Sequence, residues 1–76
     1  MKQFIGTAIC DTEEQAIETI EKLKSIRGAK VAHNGLEIEV TYHPDDRATH
    51  LEETRAVAII LDVIERISTH GFTMFP

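Results

Sequence analysis

The chain has 76 residues, enough for one domain (1–76) with a thin core and too few for two. Thirteen acidic residues against eight basic ones give a formal net charge of −5, which argues against a nucleic-acid backbone as partner. A single cysteine excludes an internal disulfide, and no apolar run approaches the roughly 20 residues that cross a bilayer.

Residues 2–10 predict a strand. Phe4, Ala8 and Cys10 share one face, and Ile5 and Ile9 share the other. A strand apolar on both faces belongs at the centre of a sheet or is covered on both sides. Gly6 interrupts it and suggests a bulge.

A helix start follows. Asp11 with Glu14, or Thr12 with Gln15, supplies the capping-box spacing. Ala16, Ile17, Ile20, Leu23 and Ile26 then form an apolar stripe, and Gly28 is expected as a left-handed cap.

Residues 29–42 carry a hairpin signal. Asn34-Gly35 between two alternating runs predicts a two-residue type I′ turn. That register pairs His33 with Leu36, Val31 with Ile38 and Ala29 with Val40 on one face, and Lys30 with Glu39 on the wet face.

A second helix is expected to start at Asp45 or Asp46, or at the box Thr49-His50-Leu51-Glu52, and to run to about His70 with Gly71 as its stop. Residues 72–76 form either a fourth edge strand or a tail on the core. The sum is an α+β protein, a ferredoxin-like βαββα(β) sandwich with strand order 4-1-3-2 and two helices on one face of an antiparallel sheet.

The second helix is apolar around most of its circumference over residues 56–64. Val57, Ile60, Leu61, Ile64 and Ile67 fall inward. Ile59 lies near the polar side, flanked by Ala56 and Val63. A surface helix needs one stripe, so Ala56, Ile59 and Val63 are the expected interface with a second copy.

Two ends of the sheet gather polar residues. His43, Asp46, His50 and Glu53 form an expected polar pocket or interface rim, with His50 the group titrating near neutrality. At the other end, Cys10, His33 and His70 have metal-ligating chemistry but no close-ligand spacing, so no metal is assigned. Cys10 lacks a demonstrable base for a nucleophilic role. No phosphate loop or nucleophile elbow is present, and no cofactor is expected.

The sequence therefore predicts a cytoplasmic, homodimeric, non-enzymatic binding or regulatory protein. Its partner is a protein or a small ligand, not nucleic acid or membrane. The size suits an accessory or inhibitor protein, including one from a phage or mobile element. The alternative is a cofactor-independent enzyme of the dimeric α+β barrel type. Two sheet faces, with Phe4, Ala8 and Cys10 in the contact, would then enclose a His- or Asp-lined pocket.

Overall fold

The computed structural model describes residues 2–76. The elements run β1 (Gln3–Ile9), α1 (Glu13–Lys24), β2 (Ala29–Asn34), β3 (Glu37–Tyr42), α2 (His50–Glu65) and β4 (Thr69–Phe75). The strands form one sheet in the order β2-β3-β1-β4, every neighbouring pair antiparallel. The class is α+β.

One face of the sheet makes the core. Phe4 lies opposite Tyr42, Gly6 opposite Val40 and Ala8 opposite Ile38. These side chains join Ala16, Ile20 and Leu23 of α1 and Val57, Ile60 and Ile64 of α2 in a single buried cluster. Phe4, Ala8 and Cys10 are therefore core residues, contrary to the expected role in sheet-face pairing. The residues alternating with them, Ile5 and Ile9, face away from the helices, and Ile9 is 50% exposed.

Gly6 makes no bulge, since β1 pairs without interruption on both sides. Its missing side chain serves packing instead. A Cβ there would sit 2.7 Å from Cδ1 of Ile64 and 3.2 Å from Cγ1 of Val40. The glycine lets α2 settle onto β1.

Both helices begin at a threonine. The Thr12 and Thr49 hydroxyls each accept an N–H from three residues on, Gln15 and Glu52, at 3.1 Å. The Asp11 N–H also donates to Gln15 Oε1 at 2.7 Å, which satisfies a further free N–H at the α1 start. α1 ends at Lys24, before Gly28. Ile26 turns into the core, and Gly28 (φ 88°) instead occupies the third position of the turn that leads into β2.

The hairpin turn is shifted by one residue from the expected one. Gly35 and Leu36 are the central pair, Asn34 faces Glu37, and Val31 faces Val40. Gly35 has φ 63° while Leu36 has no positive φ. A type I′ turn needs positive φ at both positions, so the glycine-first pattern of type II′ prevails. Pair sums change by two, so the strand residues keep their faces, but Leu36 leaves the inward face for the turn. His33 now faces Ile38, Ala29 faces Tyr42, Lys30 faces Thr41 and Ala32 faces Glu39.

α2 is shorter than expected, ending at Glu65. Ile67 is buried beneath it, and Thr69, His70 and Gly71 pair with Ile9, Ala8 and Thr7. The ladder hydrogen bonds outweigh one more helical turn in a Ser-Thr segment of low helix propensity. Gly71 is thus a strand residue. β4 begins three residues before the apolar run at Phe72 and forms an edge of the sheet.

Candidate functional site

A cavity of about 530 Å³ opens between the end of α1 and the start of α2. Tyr42 and Ile26 lie in its lining beside Ala48, Ala56 and Ile59. Three of the chain's four arginines line it too: Arg27, Arg47 and Arg55. Asp45 and Glu52 are its acidic residues.

The Asp45 carboxylate is already engaged. Its Oδ2 lies 3.3 Å from Nη2 of Arg27, and its Oδ1 accepts the backbone N–H of Arg47 at 3.3 Å. The Arg47 and Arg55 guanidiniums have no ion-pair or hydrogen-bond partner among the described residues. Tyr42 is 3% exposed. Burial, and after it the charges of Glu53 and Glu52, push its phenol above the usual value. The phenol therefore stays protonated as a hydrogen-bond donor.

A second cavity, about 390 Å³, brings together Lys2, His43, Asp46 and Glu53 around Pro44. Three of the four expected rim residues meet there. His50 does not line it; this residue opens α2, and its carbonyl accepts the Thr54 hydroxyl at 2.8 Å.

The expected interface strip is largely absorbed by the protomer itself. Ala56 is 8% exposed and belongs to the core, and Val63 is half-buried against it. Ile59 remains, 48% exposed at the wall of the larger cavity.

Cys10, His33 and His70 do not converge. Cys10 is buried, and its N–H donates to the Leu36 carbonyl at 2.8 Å. His33 sits in a shallow hollow of the hairpin, and Nδ1 of His70 contacts the Ile67 carbonyl. Among the described residues no group of three or more His, Cys, Asp or Glu side chains is arranged to hold a metal. Burial pushes the Cys10 thiol up, only partly offset by a hydrogen bond with Thr19, so it is not an activated nucleophile.

The arginine cavity escapes a reading of sequence spacing because its residues come from the end of α1, β3, the loop after it and α2. Arg55 is visible only as an outward residue of the same helix as Ile59. The usable signal is numerical: few arginines, most of them flanking the two helix ends that a βαββα order brings together. Compared with known proteins, the chain matches no family model, no curated protein and no solved structure. Among the described residues, no helix is long and apolar enough to cross a membrane.

Proposed function

We propose that the chain is a small non-enzymatic binding protein that works as a homodimer on a ferredoxin-like sandwich. Counted from the β4 edge, the strand order is 4-1-3-2, and both helices contribute to one core on one sheet face, which supports that architecture. The observation that carries the assembly is the β4 edge. Its seven residues, THGFTMF, include no Lys, Arg, Asp or Glu, and Phe72, Met74 and Phe75 are exposed along it. Soluble proteins commonly blunt such edges with lysine, proline or a bulge. β2, at the opposite edge, carries Lys30. Antiparallel pairing of β4 with its copy about a twofold axis would satisfy the open backbone groups and cover these side chains. Such a module regulates by occupying a ligand or partner at its surface, as an accessory or inhibitor protein of the cytoplasm.

The enzyme reading draws on the other sheet face, where Ile5, Ile9 and Phe75 stand among Thr7, Thr41, Thr69 and Thr73. Its chemistry is missing from that face. By register the open face holds Lys30, Glu37, Glu39 and Thr41 but neither His nor Asp. The binding reading is therefore preferred.

Light scattering after gel filtration tests it. The expected mass is twice that of the protomer, and Met74→Lys should return a folded monomer with an unchanged circular dichroism spectrum. A monomer at high micromolar concentration overturns the dimer.

A further inference from the structure

We propose that the cavity between the end of α1 and the start of α2 binds a small organic acid, its anionic head on Arg47 and Arg55 and its apolar body against Ile26 and Ile59. This rests on the reading of the chain as a binding protein and names the class of ligand. The charge count is the first argument. Within the lining, with the Asp45 carboxylate engaged by Arg27 and by the Arg47 N–H, Glu52 opposes two free guanidiniums, which leaves one positive charge in surplus there; Glu53, which lines the neighbouring cavity, acts on the Tyr42 phenol from outside it. That surplus stands out in a chain of net charge −5. Guanidinium forks match carboxylate or phosphate oxygens with paired hydrogen bonds.

The second argument is the lining. Tyr42 is nearly buried, reaches the cavity, and its hydroxyl has no hydrogen-bond partner among the described residues. It offers a donor that the protein itself does not use. Ile59 is half exposed on the same wall. An inorganic anion would leave that apolar surface wet. A volume of about 530 Å³ lies inside the usual range of roughly 300–1,000 Å³ for small-molecule sites. A polyanion such as nucleic acid meets the acidic remainder of the surface, whereas a small acid does not.

Titration calorimetry and amide chemical-shift mapping on the full chain at neutral pH test the proposal. Phenylacetate and phenyl phosphate are the probes, with phenylacetamide and inorganic phosphate as controls. At least one of the two organic anions should saturate, with shifts concentrated at Ile26, Tyr42, Ala48 and Ile59. The tighter of the two identifies the head group as carboxylate or phosphate. Phenylacetamide and inorganic phosphate should each bind at least roughly tenfold more weakly. The double variant Arg47→Gln and Arg55→Gln should lose about tenfold or more in affinity while its melting temperature stays put. Equal binding of phenylacetamide, no saturation by either organic anion in the millimolar range, or shifts confined elsewhere overturns the proposal. Light scattering on the same samples keeps the two readings apart. Anion binding by a monomer fails the dimer alone, and a dimer without anion selectivity fails the ligand alone.

Discussion

The two helices share a starting device and differ in what lies beneath them. Thr12 and Thr49 cap them with the same 3.1 Å bond. α1 packs over β2 and β3, and α2 packs over β1. Beneath α1 the sheet presents Ile38 and Val40; beneath α2 it presents Gly6 and Ala8, with Phe4 farther along β1 and Tyr42 where the two helices part. Small residues under α2 let it sink, so Ile60 and Ile64 are fully buried. α1 buries Leu23 as completely, and each helix leaves apolar side chains in solvent, Ile17 on α1 and Leu51 and Ile59 on α2. A helix apolar around most of its circumference therefore does not by itself mean an unfilled interface. Close approach to the sheet widens the arc that one protomer can cover.

Truncation should separate covered from open helix positions most sharply. Ile60→Ala removes a fully buried side chain above Gly6 and should cost about 2–5 kcal/mol. A domain of this size has a total stability of only about 4–11 kcal/mol. Ile17→Ala, on the exposed face of α1, should change stability by less than about 0.5 kcal/mol. Urea unfolding of both variants measures the difference. Similar costs at the two sites would undo the contrast.

Filling the gap beneath α2 should have the next largest effect. In Gly6→Ala the new methyl group meets Ile64 at 2.7 Å and Val40 at 3.2 Å, and both side chains are locked in the core. The expected loss is about 1–3 kcal/mol. Gly71→Ala, on the neighbouring strand, meets only the Thr7 hydroxyl at 3.5 Å, an ordinary contact. Its melting temperature should stay near that of the parent chain. If Gly6→Ala is equally silent, α2 does not depend on the missing side chain.

Much of this architecture is legible in the sequence, and the gaps have identifiable causes. Helix starts are local, so the Thr12–Gln15 spacing and the Thr49 box mark them well. Which way the hairpin strand residues face is also legible, because a shift of two in pair sum preserves it, although Leu36 passes from that face into the turn. The turn itself is not, since Asn34-Gly35 and Gly35-Leu36 both place the glycine where positive φ is needed. The end of α2 depends on pairing between residues about sixty positions apart, Thr69 with Ile9 and Gly71 with Thr7, which periodicity does not encode. The polar site divides in the same way. His43, Asp46 and Glu53 meet because the β3–α2 connection is short, while the arginine cavity is assembled from separate elements.

The smallest expected effect concerns the place where the two helices part and Tyr42 is left beneath them. Its phenol has an ordinary value of 10.0, raised in the folded chain by burial and then by Glu53 and Glu52. Above that ordinary value the unfolded chain gives up the proton while the folded chain still holds it. Fewer protons are then bound in the unfolded state, so stability falls as pH rises. Below pH 10 the contribution is fully present. The buried Cys10 thiol, raised from 9.0, acts in the same direction from a slightly lower pH. Tyr42→Phe keeps the ring and removes only the titrating group. Unfolding curves of parent and variant should therefore run parallel at neutral pH and converge or cross above pH 10, as the parent alone loses the phenol's share. An offset between them that does not change with pH would mean that Tyr42 is as accessible folded as unfolded. The helices would then not diverge over a protected cavity floor.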